Sequence, residues 1–184
     1  GKVPPGLKPA FVVPSPALAE VVRDVNKYSN NVMAQQVFLT LALQKNGAAT
    51  FDGAREVLRQ WWQARMGDAD LPQVDNGAGL SRDARLTAQA LARMLQVAWV
   101  SPVMPELVAS LPITGVDGTL RRSQSRAGTA HLKTGSLRDV MTVAGYVHAA
   151  SGRRYVLVAV VNHPNAGAAR PVLDSLIDWT AREQ

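Results

Sequence analysis

Residues 130–161 constrain the fold more than any other part of the chain, because three strand-like segments follow one another there with only short breaks. Ala130–Leu137 (AHLKTGSL) is the first, Thr142–Ala149 the second and Tyr155–Val161 the third, with Ala150-Ser151-Gly152-Arg153 as the turn between the last two. Strands joined by tight turns pair antiparallel, so the three are expected to form a meander. Tyr155–Val161 is apolar without interruption, which calls for cover on both faces. Asn162-His163-Pro164-Asn165 breaks it, and Pro171 suits the first turn of a closing helix whose inward stripe is Val172, Leu173, Leu176 and Ile177. The fold class expected is α+β, an antiparallel sheet packed against helices.

The cover must come from the rest of the chain. Residues 1–16 carry five prolines and read as an extended connector, not a domain start with its own core, with a strand fragment over 10–13. The domain is expected to occupy residues 17–184. Leu18, Val21, Val22 and Val25 have helical spacing over 17–26. From Val32 to Leu43 only a narrow stripe containing Gln36 and Thr40 is polar, the pattern of a buried helix. A third helix over 53–65 places Val57, Leu58, Trp61 and Trp62 in one core-facing stripe. A fourth, over 82–98 and capped by Ser81, turns Leu86, Ala90, Leu91, Met94, Leu95 and Trp99 inward, and a short fifth covers 106–110.

Several function classes drop out. The chain has no cysteine, so disulfides and thiolate metal sites are excluded. His131, His148 and His163 have no metal-ligand spacing, and no metal or cofactor is expected. No apolar run has membrane-spanning length. The net charge of +6 is spread over single and paired basic residues, without the basic and aromatic stripe of a nucleic-acid surface.

Two stretches carry chemistry. Ser29, Asn30 and Asn31 precede the second helix, either as caps or as polar groups held rigidly at the mouth of a cleft. In the first strand, alternation puts Lys133 and Gly135 on one face and Leu132 and Thr134 on the other. This is either an ordinary edge protected by a lysine or a seat for an extended peptide ending in a carboxylate. In the second case the lysine meets the charge and the glycine admits close approach.

Ser29-Asn30-Asn31 followed about a hundred residues later by Lys133-Thr134-Gly135 resembles the S-x-N and K-T-G elements of the serine penicillin-recognising enzymes. The segments 26–31 (NKYSNN), 75–82 (DNGAGLSR), 117–120 (DGTL), 133–137 (KTGSL) and 144–147 (AGYV) resemble one family in particular. It is the D-alanyl-D-alanine carboxypeptidases/endopeptidases of the penicillin-binding protein 4 type, peptidase family S13. The resemblance runs from residue 17 to the end and implies part of a penicillin-binding-protein/serine β-lactamase-like transpeptidase fold. One element is missing: no serine here is followed three positions later by lysine. In the resembled family this S-x-x-K lies upstream beyond inserted domains. The chain is therefore expected to be a C-terminal portion that exposes an apolar face, associates or is marginally stable, and works with an upstream segment carrying the nucleophile.

The resemblance implies catalytic roles for Ser29, Asn31 and Lys133, and substrate-binding roles for Thr134, Gly135 and Ser136. Ser29 would relay a proton, Asn31 would hold the substrate's amide carbonyl, and Lys133 with Thr134 and Ser136 would face the terminal carboxylate. The backbone N–H of Ser136 would serve an oxyanion hole. The implied partners are peptidoglycan stem peptides and β-lactams, in the bacterial periplasm. The alternative is a non-catalytic fragment that binds stem peptides or another partner.

Overall fold

The structure, a computed structural model, describes residues 1–183. Its centre is the expected meander: β1 (Ala130–Leu137), β2 (Val140–His148) and β3 (Arg154–Asn162), all antiparallel in the order β1-β2-β3. A two-residue turn joins β1 to β2, and Gly152, at φ +85°, turns the chain from β2 into β3. Register places Lys133 opposite Ala144 and Gly135 opposite Thr142, and Ala144 in turn opposite Val158.

The sheet is covered on both faces. Ala130, Leu132, Val143, Val147 and Leu157 pack against Leu173 and Ile177 of the closing helix α6 (Arg170–Ala181). The residues between them on β2 and β3, Ala144, Tyr146, Val156 and Val158, pack against Leu95 of α4 (Ala88–Trp99) and Leu107 of α5 (Met104–Ser110). Tyr146 is fully buried and donates its hydroxyl to the Leu95 carbonyl at 2.8 Å, so its one polar atom is satisfied. Period-two alternation sends the Lys133 side chain to this helical face and Thr134 to the α6 face.

The helical half is built from α1 (Leu18–Tyr28), α2 (Asn31–Asn46) and α3 (Phe51–Met66). Phe38 and Ala42 of α2 pack on Ala54 and Leu58 of α3, while Trp62 and Met66 join α3 to Ala90 of α4.

Several expectations are corrected. No strand forms over 10–13, where Phe11, Val12 and Val13 are exposed and no neighbouring strand offers a ladder. The fourth helix starts at Ala88, not at residue 82. Gln73 and Arg85 exchange two backbone hydrogen bonds at 2.8 Å, which takes Arg85 out of a helix, and Thr87 then caps by accepting from Ala90 N–H. Ser81 accepts from Asp83 N–H in a turn, and Leu86 points outward. Helix α2 is not buried all round: Val32 is 72% exposed and Leu43 46%, because only its Phe38 face meets a partner. Trp61 and Val172 also lie outside the core, while their neighbours Trp62 and Leu173 are in it.

On the α5 side of the sheet, the His131 and His148 rings stack with centroids 5.2 Å apart. His131 Nδ1 lies 3.2 Å from the Val108 carbonyl, and His148 Nε2 is buried with no partner. Burial holds both imidazoles below the ordinary histidine value, reinforced by Arg154 beside His148 and Lys27 beside His131. A group whose folded pKa is depressed contributes stability above its unfolded pKa and loses it as pH falls. The thermal unfolding midpoint should therefore drop as pH falls below 6.5, and His148→Gln should flatten that slope. A midpoint insensitive to pH in this range would contradict this assignment.

Gly145 gives a second test. Its φ is +151°, and a Cβ there would run into the His131 carbonyl on β1. Gly145→Ala should cost more than about 2 kcal/mol, read as a lower unfolding midpoint.

Candidate functional site

The cleft is made where the end of α1 meets the edge of β1. Helix α1 stops at Ser29, whose backbone is left-handed (φ 52°, ψ 48°), a conformation that costs a residue with a side chain about 1–3 kcal/mol. Asn30 is the cap of α2, accepting from Met33 N–H at 3.1 Å. Of the three polar residues, only Asn30 caps a helix with its side chain, and all three line the cleft.

Neighbouring contacts hold this turn in place. Two residues before Ser29, the buried Lys27 ammonium donates to the Leu111 carbonyl and to Asp117 Oδ2, each at 2.6 Å. Asn26 donates to Ser110 Oγ at 2.7 Å. Burial alone would raise the Asp117 pKa, but the Lys27 ammonium and the Ile113 N–H outweigh it and hold the carboxyl below its ordinary range. On the other side, Asn31 Nδ2 donates to the Ala78 carbonyl at 2.5 Å. The loop that presents Ala78 is shaped by Asn76, which accepts from Ala78 N–H at 3.0 Å, and by Arg55, which donates to the Asp75 carbonyl. Gly77 (φ +71°) lies against Phe38, where a Cβ would come within 2.5 Å of the side chain.

Across the cleft, Lys133 Nζ donates to Ser29 Oγ and to the Thr134 carbonyl, the latter at 2.7 Å. Neither partner is a carboxylate, and burial pushes the Lys133 ammonium below the usual lysine pKa. A serine hydroxyl beside such an amine can pass a proton in either direction. Ser29, Asn31, Lys133, Thr134, Gly135 and Ser136 all line one cleft of about 580 Å³. The sequence therefore named six positions that the fold brings together. Lys27, Asp117 and Thr119 were not assigned roles there; Thr119 Oγ1 lies 2.7 Å from Thr134 Oγ1. Their signal was present in the segments 26–31 and 117–120, but nothing in the sequence pairs the two. Among the described residues no cluster of three or more His, Asp or Glu could hold a metal ion.

Carboxypeptidase DacB of Mycolicibacterium smegmatis is 34% identical over 175 residues, covering 89% of this chain and 37% of that protein. A D-alanyl-D-alanine carboxypeptidase of an Actinomadura species is 28% identical over 163 residues, covering 84% of this chain and 30% of the relative. Among solved structures, penicillin binding protein 4 of Haemophilus influenzae, complexed with a β-lactam, matches with a TM-score of 0.75 at 21% identity. That match covers 86% of this chain and 40% of the other. The penicillin G-acylated predatory endopeptidase of Bdellovibrio bacteriovorus, solved with an immunity protein, matches with a TM-score of 0.71 at 18% identity. It covers 91% of this chain and 47% of that one. The fold is thus the α+β fold of the penicillin-binding proteins, and the chain spans less than half the length of each of these four proteins. A family model described as D-Ala-D-Ala carboxypeptidase 3 (S13) matches residues 2–183, and the chain belongs to that family.

Proposed function

We propose that this chain supplies two walls of the active cleft of a serine D-alanyl-D-alanine carboxypeptidase/endopeptidase that hydrolyses peptidoglycan stem peptides and is acylated by β-lactams. The observation that carries the reading is the contact of Lys133 with Ser29 across the cleft, beside Asn31 and Thr134. The nucleophilic serine and its lysine come from polypeptide outside residues 1–184, since no S-x-x-K is present within them.

The incoming serine oxygen adds to the carbonyl of the penultimate D-alanine, and its proton passes to the partner lysine. The C–N bond to the terminal D-alanine then breaks, and Ser29 relays the proton from that lysine to the departing amine. Asn31 orients the peptide through its amide, while Lys133 and Thr134 hold the terminal carboxylate. The N–H of Ser136 stabilises the developing oxyanion, a contact of a kind worth about 3 kcal/mol. The edge of β1 pairs with the extended peptide. Water then attacks the acyl-enzyme ester and regenerates the serine. The match to the S13 family and the likeness to a penicillin-acylated neighbour support this reading. The cell envelope, on the periplasmic side, is where such a substrate lies. No helix among the described residues is long and apolar enough to cross a membrane.

The test is release of D-alanine from a stem pentapeptide by a polypeptide joining this chain to its S-x-x-K segment. Ser29→Ala and Lys133→Ala should each lower kcat/KM by at least about a hundredfold. Because burial depresses the Lys133 pKa, the alkaline limb of kcat/KM should fall below the ordinary value of 10.5, and Lys133→Arg should move it upward. Stem-peptide binding without D-alanine release would instead favour a non-catalytic binding fragment.

A further inference from the structure

We propose that Asp117-Gly118-Thr119 is a bracket that sets both walls of the cleft at once, and that Thr119 is a positioning residue that sharpens recognition of a free C-terminal carboxylate. The inference rests on the carboxypeptidase reading above and adds a residue to which that reading gives no role.

Three consecutive residues reach to opposite sides. Asp117 takes the Lys27 ammonium on Oδ2 at 2.6 Å and the Ile113 N–H on Oδ1 at 2.8 Å, fixing the end of α1 that presents Ser29. Gly118 lies against the Lys27 carbonyl with φ +54°, and a Cβ there would come within 2.5 Å of that oxygen. Thr119 turns the other way, and its hydroxyl meets the hydroxyl of Thr134 at 2.7 Å. The bracket is itself strapped to β1 just before Lys133. Leu132 N–H donates to the Pro112 carbonyl at 2.8 Å and Thr114 N–H to the Ala130 carbonyl at 3.0 Å. Gly115 N–H closes the loop onto the Leu120 carbonyl at 3.0 Å, and Leu120 is buried in the core beneath the sheet. One rigid loop therefore holds the Ser29 turn with one end and the Thr134 side chain with the other.

The chemistry lies in the direction of the hydroxyl pair. Each hydroxyl has one proton to give and can accept as well. A carboxylate only accepts, so it takes the Thr134 proton, and the Thr134 oxygen then accepts from Thr119. The chain Thr119→Thr134→carboxylate polarises along its length, and a charged acceptor gains most from this. A C-terminal amide, which is neutral, gains less. Thr119 also lines the cleft, and in this arrangement it orients the Thr134 hydroxyl that meets the carboxylate.

The experiment is an NMR titration of this chain with an N-acetylated stem peptide ending in D-Ala-D-Ala, alongside the same peptide as its C-terminal amide. The wild type should bind the acid more tightly than the amide. Thr119→Val should weaken the acid about fivefold, with much less effect on the amide, and Thr119→Ser should restore the wild-type ratio. Thr119→Ala makes the same comparison without a methyl where the hydroxyl stood, and the unfolding midpoint of each variant separates misfolding from misorientation. If Thr119→Val and Thr119→Ala leave the wild-type acid-to-amide ratio unchanged, or weaken both peptides equally, the inference is overturned while the carboxypeptidase reading stands. A wild type with no preference for the acid would overturn that reading, and the inference with it.

Discussion

The burial of one ammonium governs the site. Lys133 stands half-buried on β1 and places its charge among Ser29 Oγ, the Thr134 carbonyl and the open cleft. Taking an ammonium out of water is expensive unless its donors are met. Three protons and two protein partners leave one donor direction for whatever occupies the cleft. The same burial lowers its pKa, which makes proton exchange with Ser29 easier. That exchange does not survive if the two walls drift apart, so the rest of the structure is arranged to keep the Ser29 turn and the β1 edge at one separation.

That arrangement stores strain and compensates for it locally. The left-handed Ser29 is unfavourable on its own, and it sits between a helix pinned through Lys27 and a helix capped by Asn30. Behind β1, the sheet is filled from both faces, by α6 through Leu173 and Ile177 and by α4 through Leu95. Rigid strands with packed faces hold a strand-borne lysine and threonine to a fixed geometry better than a loop would. On the opposite wall the Asn31 amide is occupied with the Ala78 carbonyl, which fixes its orientation toward the cleft.

Much of this was legible in the sequence, and the exceptions share a cause. The strands over 130–161 and the six cleft residues could be read because alternation and motif order are local signals that the register then preserved. The helical spacing of Leu86 overextends the fourth helix, because Arg85 pairs with Gln73 in a contact across a loop that outweighs it. The cap of α2 fell to Asn30 because Ser29 is taken by the left-handed end of α1, and three adjacent polar residues look alike until the backbone is placed. Helix α2 has the apolar pattern of a buried element yet shows Val32 and Leu43 to solvent, since a pattern records what a helix can bury and not what is there to cover it. The meeting of Thr119 with Thr134 depends on the fold of 112–120 along β1, and no spacing rule anticipates it.

The central claim is that this cleft is complete in its recognition groups but takes its nucleophile from elsewhere. Intact mass spectrometry after incubation with a penicillin tests it most directly, on this chain alone and on the chain joined to its S-x-x-K segment. The account predicts an unmodified mass for the chain alone and one stoichiometric adduct for the joined polypeptide, mapped to the serine of that segment. A stoichiometric adduct on any serine of residues 1–184 would contradict it.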